Sequence, residues 1–380
     1  MVDLPYGRTP YPLDLENRPF TLVQAAPRPT PRPVEELIAA ALDAPAGKPL
    51  AVPVGARVTV IVSDPTRDEP RAAFLAAIRA RVPGVRWTIA VATGTHGPAD
   101  LRALGIPDEL FAGATIVNHD GHRPDDLVTL GVTARGTPVR LHRCVLDADL
   151  VIATGCIRPH YFAGFGAGVK AIFPGLGEAA AIRINHALKA EPGARAGIVD
   201  GNPCREDLTA AVAMVPTPMF LLNGACAPDG AIHAVVAGDI EAAFAAGIAL
   251  ARPWFTVAAP RAPLVIASDV MPVTASLYQA AKIAAATAAL VLPGGALVLV
   301  AECPDGIGPK IVVNEAILRI GILPRLAPGV SVRLVSGMSA SEVASTLLEY
   351  APSVAAAIRD ISGPIVVVPR ASQLIVEASS

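Results

Sequence analysis

Residues 56–64 read ARVTVIVSD, residues 69–82 EPRAAFLAAIRARV and residues 86–94 RWTIAVATG. The outer two are near-continuous apolar runs rich in β-branched residues, the pattern of strands buried on both faces of a parallel sheet. Between them, apolar positions recur at helical spacing. Strand, helix and strand in that order form one βαβ unit, which makes the fold class α/β.

The alternation continues on both sides. Pro27, Pro29, Pro31 and Pro33 make an extended arm ahead of a helix over 34–42. DLVIATG (149–155) predicts a further buried strand, reached through a hairpin in TLGVTARGTPVRLHR (129–143). Helices are expected over 178–190 (EAAAIRINHALKA) and 240–251, with DLTAAVAMV (207–215) and a hairpin near 227–230 between them. After Pro253 and Pro260 the pattern restarts with PLVIASD (263–269), SLYQAAKIAAATAA, GALVLVAE, NEAILRIG, SVRLVSG, one helix over SEVASTLLEYAPSVAAAIRD (341–360), and PIVVVP. Two α/β domains are therefore expected, each with a mainly parallel sheet flanked by helices. The N-terminal domain spans 1–255, with the tail from about 363 to 380 free to pack back on it, and the C-terminal domain spans 260–362.

Composition narrows the function. A formal net charge of −2 over 380 residues gives no footing for nucleic acid or an anionic membrane surface, so a small-molecule partner is expected. Mean hydropathy is high at +0.49, yet the longest apolar stretch, 284–301, is interrupted by Pro293, Gly294 and Gly295, which argues against a membrane span. The first residues, MVDLPYGRTPYPLDLENRPF, lack the basic-then-apolar order of a signal peptide, and a cytoplasmic location is expected. The cysteines at 144, 156, 204, 226 and 303 form no CxxC pair, which disfavours a disulfide framework or a cysteine-rich zinc site.

Lysine occurs only at 48, 170, 189, 282 and 310. An amine can lose its proton and form covalent bonds, which a guanidinium cannot, so a retained lysine in an arginine-rich chain draws attention. Lys170 lies in GCIRPHYFAGFGAGVKAIFPG (155–175), behind His160 and the alternating Gly164, Gly166 and Gly168. The spacing fits neither a phosphate-binding GxxxxGK[ST] loop nor the dinucleotide fingerprint GxGxxG.

Other polar residues gather where strands end: SDPTRDEP (63–70), ATGTHGP (92–98), ATGCIRPH (153–160), and SDVMPVTASLYQAAK from 268. Ligands of open α/β sheets bind outside the carboxyl ends of strands, so Arg67, His96, His160 and Lys282 point to one active site, expected in the interdomain cleft. Simpler roles compete: Asp64 as a helix cap, His96 as a turn residue, His186 as a packed helical histidine, Gln279 and Lys282 as a solvated helix face. A zinc site from His96, His160 and His186 lacks HExxH spacing and an evident carboxylate.

Taken jointly and in order, SDPTR, ATGTH, PHYFAGFGAGVKAIFPG, RINHA, LYQAAK and ECPDGIG resemble the lactate racemase family, which carries a nickel-pincer nucleotide, over essentially the whole chain. The resemblance implies a racemase or epimerase of a 2-hydroxy acid. It implies a nickel pyridinium-3,5-bisthiocarboxylic acid mononucleotide joined covalently to Lys170, made by separate cofactor-synthesis enzymes. It implies His186 as nickel ligand, a choice suited to soft sulfur plus imidazole, and His96 and His160 as the acid/base pair. It further implies Asp64, Pro65, Thr66 and Arg67 as the cofactor-contacting segment, Arg67 also near the substrate, and Tyr278, Gln279 and Lys282 as substrate-holding residues. Gly97, GFGAG and Arg158 depart from the usual motif letters, which keeps epimerisation of a larger 2-hydroxy or sugar acid open. An NAD-dependent dehydrogenase, or a ligand-binding module without cofactor, are the alternatives outside this chemistry.

Overall fold

Helix α1 (Val34–Asp43) precedes the expected unit: strand β1 (Arg57–Ser63), helix α2 (Arg71–Arg81) and strand β2 (Arg86–Ala92), the strands parallel with Val60 opposite Ile89. The computed structural model describes residues 2–15 and 17–379. It divides them into two units, Arg28–Trp254 and the residues up to Pro27 together with Phe255 onward.

In the first unit, strands β3 (Ala114–Asn118), β4 (Leu150–Ile157), β5 (Met219–Cys226) and β6 (Ile232–Gly238) complete a six-stranded sheet ordered β6-β5-β4-β1-β2-β3. All neighbours are parallel except β5 and β6. Val58, Val60, Val62, Ile89 and Val91 pack against Phe74, Leu75 and Ile78 of α2, each large side chain contributing about 1.5–3 kcal/mol of burial. From β1 the chain winds outward through β2 and β3, then returns to the other side through β4 and β5. The ends of β1 and β4 thus form the topological switch point, where such sheets place ligands. The hairpin Leu127–Val132 with Pro138–His142, helix α3 (Ala179–Ala187), helix α4 (Pro203–Val212) and helix α5 (Ile240–Phe255) complete the unit.

The second unit has strands β7 (Ala262–Ser268), β8 (Val291–Val300), β9 (Ser331–Val335) and β10 (Ile365–Val368), with helix α6 (Leu277–Thr287) after β7. Its sheet is parallel throughout, Glu349–Tyr350 flanking β9 and Phe20–Leu22 flanking β10.

Three expectations need correction. The first residues do not belong with the N-terminal domain: Phe20–Leu22 pairs with β10, and Leu4, Leu13 and Leu15 bury among Leu264, Ile266 and Val298. The tail beyond 363 stays in that same unit, because β10 pairs with β7 and Ile375–Ser379 pairs with Thr256–Pro260. The helix expected over 341–360 is broken into Ala340–Ala344 and Val354–Ile358 around the strand Glu349–Tyr350. Pro352 disfavours helical geometry at Ala351, and Ser353 starts a new helix by accepting from Ala356 N at 3.1 Å. Among the described residues no helix is long and apolar enough to cross a membrane.

Candidate active site

The end of β1 is held by buried Arg71, whose guanidinium donates to the carbonyls of Ser63 (2.8 Å), Asp64 and Arg67 (2.6 Å). Glu69 ties this turn to β4, accepting from Ser63 N at 2.7 Å and from the Thr154 hydroxyl. The result is a rigid SDPTR turn in which Asp64 is 5% exposed while Thr66 and Arg67 face outward.

Asp64 Oδ1 accepts from Thr66 N at 2.9 Å, and its Oδ2 lies 2.7 Å from His96 Nδ1. Burial works to raise the Asp64 pKa, but the bonds from His96 and Thr66 outweigh it and bring it to about 2. An ionised carboxylate only accepts, so His96 Nδ1 carries a proton, and in the neutral tautomer this leaves Nε2 as an acceptor. The His96 side chain is half exposed. Its turn is anchored by His96 N to Thr93 O (2.9 Å) and by Gly94 N to Gly175 O (3.0 Å), which docks it on the segment following Lys170.

His160 is built the opposite way. Pro159–His160 and Gly164–Phe165 form a two-rung antiparallel ladder, and Ala163 N donates to His160 Nδ1 at 3.2 Å. In the neutral ring this places the proton on Nε2. In their neutral forms the two rings thus differ in hydrogen bonding at Nε2, an acceptor on His96 and a donor on His160.

Phe162, 3% exposed, is the hub of the remaining groups. Its ring meets the rings of His160 at 4.5 Å and His186 at 4.8 Å, both edge-on, and Lys170 Nζ lies 5.7 Å from its centroid. Burial, then Arg205 and Arg67, lower the Lys170 amine to about 7. Burial, then Lys170 and Lys189, lower His186 to about 3, so its imidazole is neutral, and its Nδ1 is buried without a hydrogen-bond partner. α3, which carries His186, is pinned by Asn185 Nδ2 to Asp207 Oδ2 at 2.8 Å, and Asp207 also accepts from Thr133 and Thr137.

The loop glycines answer to the chain's own packing. A Cβ on Gly164 would stand 2.1 Å from Ile198 O, and one on Gly168 2.7 Å from the Phe244 ring, with φ at +72° and +61°. Gly166 meets nothing closer than 3.7 Å.

In the second unit, Lys282 Nζ donates to Gln279 Oε1 at 2.6 Å, leaving the Gln279 amide nitrogen as a further donor. Tyr278 N and Leu277 N donate to Ile307 O (3.1 Å) and Gly306 O (3.0 Å), so the ECPDGIG segment covers the start of α6.

Sequence inspection did not single out Phe162, Arg205, Asn202 or Asp207. The Asn202-Pro203 step carries an available signal, an N-cap residue followed by proline at the first helical position. Asn202 accepts from Arg205 N at 3.1 Å and donates to Phe162 O at 2.8 Å, joining α4 to the hub. Among the described residues no three His, Cys, Asp or Glu side chains are grouped to hold a metal ion, so the set His96, His160 and His186 makes no zinc site. A metal at His186 needs its other ligands from a bound group.

The family model described as lactate racemase N-terminal domain matches residues 6–197. The lactate racemase of Lactiplantibacillus plantarum is 30% identical over 322 residues, covering 81% of this chain and 76% of that protein. That of Thermoanaerobacterium thermosaccharolyticum is 28% identical over 322 residues, covering 81% and 75%. The structure of the lactate racemase apoprotein from Thermoanaerobacterium thermosaccharolyticum is similar with a TM-score of 0.84 and 25% identity over 99% of each chain. A Thermotoga maritima protein, 15% identical with a TM-score of 0.68 over 91% of this chain and 97% of its own, shares the fold. The chain belongs to the lactate racemase family.

Proposed function

We propose that this isomerase interconverts the enantiomers of a small 2-hydroxy acid such as lactate, using a nickel-pincer pyridinium mononucleotide held by Lys170 and His186. The carrying observation is the set of groups around Phe162: an amine lowered to about 7, a neutral imidazole with an orphaned Nδ1, and His160. These residues fit the group. An amine that is about half neutral near pH 7 can condense with a thiocarboxylic acid to a thioamide with loss of water, and a single imidazole would complete a ligand set whose sulfur atoms come from the cofactor. When bound, that cofactor supplies a pyridinium ring able to accept and return a hydride.

The chain's residues supply the proton chemistry. His96 Nε2, aimed by Asp64, takes the hydroxyl proton of one enantiomer and becomes an imidazolium, and His160, entering as an imidazolium and leaving neutral, returns the proton on its Nε2 to the oxygen after the carbon has become planar. The opposite enantiomer uses the pair in reverse. Residues Asp64, Pro65, Thr66 and Arg67 border the cofactor, Asp64 chiefly as the positioning residue of His96, and Arg67 steadies charge at the substrate oxygen. Gln279 and Lys282 hold the carboxylate with an amide N–H and an ammonium, with Tyr278 alongside.

The test is peptide-mapped mass spectrometry of the chain co-expressed with cofactor-synthesis enzymes. An adduct on Lys170 with one bound nickel is expected; an unmodified Lys170 in a preparation that racemises would sink the attachment.

A further inference from the structure

Arg205 is the most buried cation beside the Phe162 hub, 3% exposed, with its Nη1 sealed from solvent and lacking a hydrogen-bond partner. Its guanidinium lies over the Phe244 ring at 4.1 Å, and Phe244 packs directly on Gly168, two residues before Lys170. It occupies the first turn of α4, a helix of 10 residues whose N-cap, Asn202, is bonded to the Phe162 carbonyl. The groups acting on the Lys170 amine are Arg205, Arg67 and the Cys204 thiol, with no carboxylate. Only Glu241, itself exposed, acts on Arg205 from the acidic side. A buried guanidinium held in no ion pair is penalised by desolvation, and a helix N-terminus adds positive potential at the same place. An oxyanion of two negative charges and several acceptor oxygens offsets both, and a guanidinium matches it in shape.

We infer that Arg205, with the N-terminus of α4, forms a binding site for a phosphate monoester, the phosphate of the mononucleotide proposed above to be joined at Lys170. Lys170 then anchors the ring and Arg205 the phosphate, so the nucleotide is held at both ends before any covalent bond forms.

The experiment uses the full chain without cofactor and reads equilibrium binding by calorimetry. The probes are nicotinic acid mononucleotide, nicotinic acid riboside and inorganic phosphate. In the wild type the mononucleotide is expected to bind at least about tenfold more tightly than the riboside, with inorganic phosphate competing. Arg205→Met is expected to erase that tenfold difference while leaving the riboside unchanged. Arg205→Gln, which keeps a polar head in the same place, is expected to reduce the difference as well, and decides the matter if the methionine variant does not fold. Equal affinity of mononucleotide and riboside in the wild type, or a difference that survives both substitutions, overturns the site. Because these probes carry no nickel and need no attachment, the outcome is separate from that of the mass measurement: an adduct at Lys170 with substitution-insensitive phosphate binding removes the Arg205 site alone.

Discussion

His96 Nδ1 and Asp64 Oδ2 are 2.7 Å apart, joining the ends of two neighbouring strands through one hydrogen bond. This bond selects the ring nitrogen that carries the proton. Asp64→Asn keeps the shape but permits the wrong tautomer, so kcat/KM is expected to fall about 10²- to 10⁴-fold while the Lys170 adduct is retained. Mass spectrometry and initial rates on one preparation check both halves.

The same carboxylate links stability to pH. Its folded pKa of about 2 lies below the ordinary carboxylate value, so its stabilisation is fully present above the unfolded pKa and is lost as pH falls through the folded one. Urea unfolding of the chain without cofactor should show a loss of roughly 2 kcal/mol between about pH 4 and 2 that is missing in Asp64→Asn.

Lys170, with an amine lowered to about 7, should be the first of the lysines to react with an amine-directed acylating reagent near neutral pH. Peptide mapping across a pH series is expected to give a midpoint near 7 for Lys170. A midpoint near 10 at Lys170 would contradict the burial argument. Replacing it with alanine removes the adduct and leaves the fold, because the side chain lies in a short turn after Gly168.

His186→Ala should separate metal from attachment: bound nickel falls by more than about tenfold while the Lys170 adduct persists. Without cofactor, His186 also marks the acid side of the stability curve. Its folded pKa of about 3 lies below the unfolded value, so the unfolded chain binds more protons between the two, and stability is lost as pH falls from about 6.5 toward 3. The alanine variant should flatten that slope.

The α3 anchor is structural. Asp207 is buried and accepts from Thr133, Thr137 and Asn185, so Asp207→Ala leaves three donors unsatisfied and is expected to cost about 2–4 kcal/mol in urea unfolding.

Much of this was legible in the residues. The runs around Val60, Ile89 and Ile152 gave strands because parallel strands buried on both faces need unbroken apolar sequence. The polar loops gave the switch point because strand ends must be punctuated. What stayed hidden depends on pairing across long separations. Nothing local in Phe20–Leu22 says that it adds to β10 some 345 residues away, and Ala114–Asn118 is too short and mixed to stand out from its loop. The candidate site residues were read as letters in ordered motifs, whereas the states of these side chains were not legible there: the orphaned Nδ1 of His186, the hydrogen bonding of His96 and His160, and the burial of Arg205 follow from packing in the folded chain.

The most direct measurement is optical purity over time, with the nickel-loaded chain given pure L-lactate in one vessel and pure D-lactate in another. Both are expected to converge on the racemic mixture, with His96→Ala and His160→Ala each slower by about 10²- to 10⁴-fold in both directions. Undiminished optical purity with a fully loaded chain, across lactate and larger 2-hydroxy acids alike, would contradict racemisation by this protein.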